Sequence, residues 1–487
     1  MKILKDILYK VGIESTVGST DVKINKIEFN SSKVLKNELF VAIKGNLFNG
    51  NHFITDAISR GSKVIVCEDY PKNILKKITY IKVRDVRESL ALICTNYYGN
   101  PSKKLKLVGI TGTNGKTTTA NLMFQLFGLL KYKVGLISTN KIIIHKKNIK
   151  SDLTTPDPIT LNKVLFQMVE SNIKFCFMEV SSHSIEQKRI AGLTFDVGVF
   201  TNLSHDHLDY HKTFNSYRDV KKIFFDSLKK NAFAIVNIDD KNGNYMTQNS
   251  DAKIYSYSLK AKADFSLKIF EKDFNGMKIS LNGTELWTKL IGEFNGYNIL
   301  ATYAIAKLFK LSEDKILRNI SALRSVEGRF ERILKNGVNK IGIVDYAHSP
   351  DSLKKILQTI NELKKEDDFI ITVFGCGGDR DFKKRPLMGR IAASLSDKVI
   401  LTSDNPRNEE PSEIIKQIQF GIEEKDLHKI SIITDREEAI KFACKLNNEK
   451  DVILIAGKGH EKFQIFGNNK IEFDDKKILV KSLNNNM

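Results

Sequence analysis

Apolar residues recur along the chain in two alternating patterns. Short runs rich in β-branched residues, such as "KINKIEF" (23–29), "LFVAI" (39–43), "KVIVCE" (63–68) and "ITYIKV" (78–83), have the length and composition of buried strands. Among them, "HFITDAISRGS" (52–62) carries helical spacing and ends on glycine. This predicts a small α/β unit over about 20–95, followed by a Gly, Pro and Lys cluster suited to a linker, "NYYGNPSKKL" (96–105).

From 106 to about 325 the strands "LKLVGI", "VGLIST", "FCFMEV", "FDVGVFTNL" and "AFAIVNID" alternate with helical stretches, the first beginning after Lys116. A third block, after "EGRFERI", repeats the pattern with "KIGIVDYA", "FIITVFGC", "DKVILTSD", "KISIIT" and "DVILIAGKG". Such alternation predicts parallel sheets covered by helices, in which ligands collect beyond the carboxyl ends of the strands.

Composition narrows the class. A chain of 487 residues exceeds the span of one hydrophobic core, so two to four domains are expected. With 41% hydrophobic and 28% charged residues the chain is globular rather than disordered. The opening "MKILKDILYKVGIEST" lacks the apolar core and cleavage site of a secretory signal, and no run of eighteen apolar residues follows. A cytoplasmic protein without membrane insertion is expected. The five cysteines (Cys67, Cys94, Cys176, Cys376, Cys444) are scattered and lack CxxC spacing, which predicts reduced, mostly buried thiols. A net charge of +20 raises the question of nucleic acid. No basic stripe with interleaved aromatics accompanies it, so the charge reads as a lysine-rich bias that attracts small anions, with no nucleic-acid partner.

Chemistry concentrates at the strand ends. "VGITGTNGKTTTAN" (108–121) joins a strand to a helix through a glycine-rich turn. Its backbone N–H groups can face an anion, Lys116 can reach phosphates and Thr117 can offer a hydroxyl to magnesium. The G-x-x-x-x-G-K-[ST] spacing fails at Ile110, where a glycine would stand. "MEVSSHSIEQKRIAG" (178–192) places Glu179 at a strand end, either as a metal-holding carboxylate or as a solvated residue before a helix capped by Ser181 or Ser182. "TNLSHDHLDYHKTF" (201–214) holds three histidines but neither cysteine nor HExxH, which argues against zinc and for one imidazole beside magnesium and phosphate. In "VFGCGGDRDFKKRPLMG" (373–389), Arg380, Lys383, Lys384 and Arg385 can grip carboxylate or phosphate, or form a solvated turn.

Ten segments in order carry a resemblance: "GITGTNGKTTT", "MEVSSHSIEQKR", "TNLSHDHLDYH", "YRDVKKIFF", "GEFNGYNILA", "GRFER", "VDYAHSPDSL", "VFGCGGDRD" with "KRPLMG", "DNPR" and "AGKGHE". From about residue 25 to 475 the chain resembles the Mur ligases, whose phosphate loop reads TGTNGKT, which accounts for Ile110. The resemblance implies an α/β protein of three domains: a small N-terminal α/β domain (1–98) for a uridine nucleotide substrate, a central P-loop parallel-sheet ATPase domain (99–328), and a C-terminal Rossmann-like domain (329–487) for an amino acid. It implies ATP-dependent amide formation in peptidoglycan precursor synthesis. The acceptor is UDP-N-acetylmuramoyl-L-alanyl-D-glutamate (UDP-MurNAc-L-Ala-D-Glu), the added diamino acid meso-diaminopimelate, the cofactor Mg2+, and a monomer is expected.

Residue roles follow from the same resemblance. Lys116, Glu179, His207 and Lys221 match catalytic positions, and Thr117, Glu179, His207 and Lys221 match the set that holds magnesium. Lys221, counted from Tyr217 and to Phe225 in preference to Lys222, aligns with a lysine that the family carboxylates on its amine (N6-carboxylysine). ATP positions are Thr111, Gly112, Thr113, Asn114, Gly115, Lys116, Thr117, Thr118, Asn298, Arg329, Asp345 and His348. Ser31, in "FNSSKV", together with Thr154, Thr155, Ser181, Gln187 and Arg189, matches the muramoyl-dipeptide site, although Lys33 departs from the family pattern. "KGNLFNG" (44–50) would lie against uracil and diphosphate. Arg380, Asp404, Asn405, Pro406, Arg407, Gly457 and Glu461 match the diaminopimelate site. In this family "DNPR" marks addition of meso-diaminopimelate, whose distal carboxylate Arg407 can grip with paired hydrogen bonds. L-lysine or meso-lanthionine remain alternative added amines. A folylpolyglutamate synthase and a P-loop switch or nucleic-acid ATPase are rival readings; the first is opposed by the N-terminal block and "DNPR", the second by the diamino-acid pocket.

Overall fold

The computed structural model describes residues 1–45, 48–151, 153–206, 208–334, 340–446 and 451–485. Its three main sheets correspond to the three blocks read from the sequence. The first has five strands in the order Ile13–Val17, Thr79–Val83, Val64–Cys67, Leu39–Val41, Ile27–Glu28, and all pairs but the first are parallel. "KINKIEF" forms two short strands, Lys23–Ile24 and Ile27–Glu28, rather than one. The sequence reading missed the helix Val86–Tyr97, which begins where the Asp85 carboxylate accepts the N–H groups of Arg87 and Glu88. This helix takes the first two residues of the expected linker.

The second sheet has eleven strands. Its middle is parallel, running Val134–Ile137, Phe175–Glu179, Lys106–Thr111, Val197–Phe200, Phe233–Asn237, Lys253–Ser258 and Phe265–Asp273. Antiparallel hairpins extend both edges, with Ile142–Ile144 and Lys147–Ile149 on one side and Gly276–Leu281 and Thr284–Thr288 on the other. The central parallel strands, Lys106–Thr111, Phe175–Glu179 and Val197–Phe200, are buried on both faces, so they read as continuous apolar runs, whereas Lys253–Ser258 and Phe265–Asp273 are partly exposed. The third sheet orders Glu331–Leu334, Ile341–Asp345, Val452–Ala456, Ile370–Phe374, Lys398–Leu401, Ile430–Ile432, and only its first pair is antiparallel.

All five cysteines are buried, and none forms a disulfide among the described residues. Among the described residues, no helix is long and apolar enough to cross a membrane.

Candidate active site

The strand Lys106–Thr111 delivers the glycine-rich loop to the helix Lys116–Leu129. Ile110 is part of that strand and fully buried, and Gly109 sits where a Cβ would meet the rings of Phe224 and Phe195 at 2.6 and 2.8 Å. Neither residue is in the loop; the close approach falls instead at Gly112, whose Cβ would lie 2.0 Å from the Thr201 hydroxyl. Gly115 follows at φ +86° and starts the helix with no side-chain cap, which leaves the first-turn N–H groups and the positive end of the helix dipole for an anion. Lys116 Nζ donates to the carbonyls of Gly112 (2.9 Å) and Thr113 (2.8 Å). Burial pulls its ammonium below the usual value, against the favourable charge of Glu179.

Glu179 ends the strand that pairs in parallel with the phosphate-loop strand, in register with Ile110. The structure bears on the second reading of this segment and upholds half of it. Ser181 does cap the following helix, accepting the N–H of Ser184, but Glu179 is fully buried rather than solvated. Its carboxylate accepts the Thr117 hydroxyl (2.9 Å) and the Thr139 N–H (2.8 Å). A buried carboxylate beside a hydroxyl at a phosphate loop is a set of hard oxygen donors, which suits magnesium.

Lys221 is carried by the helix Phe214–Asp226 and is buried, with Nζ 4.6 Å from the Tyr217 ring centroid and 2.9 Å from the Gly112 carbonyl. Two lysine nitrogens therefore share one carbonyl oxygen. Burial, and then the charge of Lys116, push the Lys221 ammonium well below its usual value. Its neighbour Lys222 points elsewhere, to Asp226 at 2.7 Å. His207 lies outside the described residues, as do 46 and 47 of the segment expected against uracil.

Arg329 connects the second and third blocks. Its Nη2 donates to the Thr117 hydroxyl at 3.3 Å, and its guanidinium lies 4.3 Å from the Tyr346 ring centroid. Asp345, at a strand end, accepts the N–H groups of Phe330 and Ala347, both at 2.6 Å. Burial raises its carboxyl to about 6, against the lowering charge of Arg329. His348 is driven down by burial and by the Lys384 charge. Asp351 joins the blocks directly, accepting from Asn114 Nδ2 and the Ser204 hydroxyl, both at 2.9 Å.

Three loops of the third sheet form a further pocket. Arg407 sits at φ +52° and donates from Nη1 to the Gly378 carbonyl at 2.6 Å. Burial, then the neighbouring Arg380 charge, lowers its guanidinium. Asn405 Nδ2 donates to Glu461 Oε2 at 2.8 Å. Gly457, at φ +113°, admits Asp404 so closely that a Cβ there would be 2.6 Å from its carboxylate. Behind them, fully buried Arg436 pairs with Asp475 through two bonds (2.7 and 2.8 Å) and donates to the carbonyls of Ser403 and Ala456.

One cavity of about 470 Å³ joins these parts. Of the residues expected from the sequence, its wall includes Thr113 to Thr118, Thr154, Glu179, Ser181, Arg189, Lys221, Arg329, His348, Arg380, Asp404, Asn405, Arg407, Gly457 and Glu461. Asn298 and Asp345 line an adjoining cavity of about 480 Å³ that shares Asn114, Gly115, Thr118 and Arg329. Thr111, Gly112, Thr155, Gln187 and Pro406 are absent from both walls. Gly112 supplies the carbonyl under the two lysines, Thr155 bonds the Glu179 carbonyl and the Ser181 N–H, and Gln187 accepts from Arg189. Ser31 stays with the first sheet, where its hydroxyl helps hold the Asp56 carboxyl below the usual range.

Within the run 380–385 the expectation needs correction for Arg385. It is fully buried and forms a paired ion bond with Glu409 (2.7 and 2.9 Å), which ties the loop down rather than meeting a ligand. Lys383 is exposed and does not line the cavity, whereas Lys384 does. The sequence reading missed Thr139, Asp206, Tyr217 and Tyr346 in the cavity wall, and Asp239 and Tyr297 in the adjoining one. Asp206 and Tyr346 stood within quoted motifs but were passed over for their histidine and aspartate neighbours.

Fold and site together are those of a ligase in which a phosphate loop on one sheet faces a pocket of arginine and carboxylate side chains on another. Comparison with known proteins agrees. The Mur ligase family catalytic domain matches residues 23–98, the Mur ligase middle domain 110–306, and the Mur ligase glutamate ligase domain 328–459. A Cytophaga hutchinsonii protein named UDP-N-acetylmuramoyl-L-alanyl-D-glutamate--2,6-diaminopimelate ligase is 48% identical over 481 residues, covering 99% of this chain and 98% of that protein. Its namesake numbered 1 from Clostridium acetobutylicum is 42% identical over 481 residues, covering 98% of each. A solved structure of a ligase with the same name aligns over 99% of both chains, with a TM-score of 0.70 and 29% identity. The MurF ligase of Thermotoga maritima, solved with ADP, shares the fold at TM-score 0.61 and 18% identity over 95% of this chain and 97% of that one. The chain belongs to the Mur ligase family.

Proposed function

We propose that this chain joins meso-diaminopimelate to the D-glutamate side-chain carboxylate of UDP-N-acetylmuramoyl-L-alanyl-D-glutamate, with ATP converted to ADP and phosphate. The observation that carries the reading is the single cavity in which the phosphate loop, buried Glu179 and the Arg380, Arg407 and Glu461 pocket meet. The relatives named above support the choice of substrates. The division at 98/99 and 328/329 into uridine-nucleotide, ATP and amino-acid domains is part of the proposal.

A free carboxylate is a poor acyl donor. In the proposed reaction its oxygen attacks the γ-phosphorus, ADP leaves, and the resulting acyl phosphate is attacked at carbon by the diamino acid's amine. Phosphate then departs with the former carboxylate oxygen, and the amine loses a proton. Lys116 would exchange its two backbone carbonyls for phosphate oxygens, and the open helix N-terminus would add N–H donors. Asn298 and Asp345, in the adjoining cavity, suit the rest of the nucleotide. Thr154, Ser181 and Arg189 would orient the dipeptide, with Thr155 and Gln187 supporting them from behind.

Thr117 and Glu179 fit magnesium and would hold it with His207 and carboxylated Lys221; bound there, the ion would withdraw charge from the phosphate oxygens. Lys221 is prepared for that modification by its depressed basicity. A neutral amine can attack CO2 and lose a proton, which turns a buried cation beside Lys116 into a favourable anion.

The test is to supply ATP, magnesium, bicarbonate and the UDP-dipeptide with meso-diaminopimelate, L-lysine or meso-lanthionine, and to weigh the product. The expected result is the diaminopimelate tripeptide formed with one ADP per amide. Preferential amide formation with lysine, or ADP release without amide, would overturn the assignment.

A further inference from the structure

Lys458, in the segment "AGKGHE", is a cation that lies behind the wall of the third-sheet pocket and, unlike Arg436 and Arg385, bonds only side chains that line it. It is fully buried, whereas Arg380, Asp404, Asn405, Arg407 and Glu461 line the cavity. A buried ammonium is costly unless hydrogen-bonded to partners of suitable charge. Both partners of Lys458 are cavity residues: Nζ donates to Asn405 Oδ1 at 2.9 Å and to Glu461 Oε2 at 3.0 Å.

These bonds determine what the pocket shows to a ligand. Asn405 Oδ1 accepts both Lys458 Nζ and the Ile465 N–H (3.1 Å), so the Asn405 NH2 group must face Glu461, where Nδ2 donates to Oε2 at 2.8 Å. Glu461 Oε2 is thus held by two donors, while no hydrogen bond from a described residue reaches Oε1. The carboxylate is fixed through one oxygen and can offer the other. Arg380 and Arg407 are cations and suit the carboxylate of an amino-acid end, whereas Glu461 suits its ammonium.

We propose that Lys458 is a positioning residue that selects for the distal ammonium of the diamino acid, by locking Asn405 and one oxygen of Glu461 so that the other oxygen meets that group. The proposal rests on the reading that the third-sheet pocket takes a diamino acid. Lys458 itself touches no substrate. Its role differs from that of Arg385, which is equally buried but whose carboxylate partner, Glu409, is outside the cavity wall.

The experiment compares meso-diaminopimelate with 2-aminopimelate, which keeps one amino-acid end and the distal carboxylate but lacks the distal amine. In the wild-type enzyme, KM for 2-aminopimelate should exceed that for diaminopimelate on the order of tenfold to a hundredfold, the range for loss of one charged hydrogen-bonding partner. In Lys458→Met that ratio should fall to near one, through a raised KM for diaminopimelate, while KM for ATP and for the UDP-dipeptide stays unchanged. Lys458→Gln, a milder change that keeps a polar group at the site, should lower the ratio in the same way and decides the matter if the Met variant does not fold; Glu461→Gln, which removes the ammonium's partner itself, should collapse the ratio as the control. A wild-type ratio near one, or a ratio preserved in Glu461→Gln, in Lys458→Gln or in folded Lys458→Met, overturns the proposal. A wild-type enzyme that turns over ATP and dipeptide with neither amine would instead sink the proposed function.

Discussion

The phosphate loop and the arginine pocket face each other across one cavity, yet their polar groups are held in opposite ways. Around the loop, donors and acceptors satisfy one another: Lys116 bonds two carbonyls, Thr117 and Thr139 bond Glu179, and Lys221 bonds Gly112. A nucleotide must exchange those bonds. In the pocket, Arg380 and Arg407 repel each other, and Arg407 keeps one bond to a backbone carbonyl. An anionic ligand relieves that repulsion. On the proposed function the first region positions a reaction, since a bound nucleotide would replace internal bonds as well as add its own. The second is built for selection, because binding energy there depends on the ligand's own charges.

Variants can break this contrast. The largest effect is expected for Lys116→Met, which removes the only loop cation able to follow phosphoryl charge; kcat should fall by about 10⁴, comparable to loss of an arginine finger. Lys221→Met should lower kcat by about 10³, as for removal of one preorganised charge-stabilising group. Its wild-type counterpart should show a carbamate carbon by NMR after exposure to labelled bicarbonate, absent from the variant. Arg407→Ala should instead raise KM for diaminopimelate by about 10², from two charge-assisted bonds of ~1.5 kcal/mol each, and leave KM for ATP unchanged. Equal effects on both substrates would erase the distinction between the regions.

Smaller effects sharpen it. The Asp345 carboxyl, raised to about 6, accepts two backbone N–H groups as a carboxylate. Protonation below that value weakens both bonds, so kcat/KM for ATP should be level above pH 7 and about tenfold lower at pH 5. A profile flat to pH 5 would remove Asp345 from the nucleotide's support. Asp351→Ala, which cuts two bonds between the blocks, should raise KM for ATP about fivefold, as for loss of ~1 kcal/mol. Fluorescence distances between labels on the two blocks should broaden in the same variant.

The two regions also differ in how far the sequence reveals them. The phosphate loop is contiguous, and strand, turn and helix could be read directly from "LKLVGITGTNGKTTTAN". Glu179 was ambiguous because a helix cap and a cavity carboxylate occupy the same few residues, and the structure contains both. The arginine pocket comes from three loops spread over 375–380, 404–407 and 457–461, so its membership followed from family resemblance rather than spacing. Arg385 shows the limit of local reading: in a run of four cations, only packing separates the one buried against Glu409 and the exposed Lys383 from Arg380 and Lys384, which face the cavity. Lys458 was passed over for the same reason, since its partners lie 53 and 3 residues away. Of the antiparallel edge strands that escaped notice, Lys147–Ile149 and Thr284–Thr288 are short and largely exposed and so lack an apolar run.

The central claim is that a carboxylate is phosphorylated before the amine captures it. The direct measurement uses the UDP-dipeptide labelled with ¹⁸O in the D-glutamate side-chain carboxylate, with ATP and meso-diaminopimelate, and weighs the phosphate released. One ¹⁸O in each phosphate from fully labelled dipeptide is the predicted result; phosphate that carries only ATP and water oxygen, formed alongside amide product, would contradict the account.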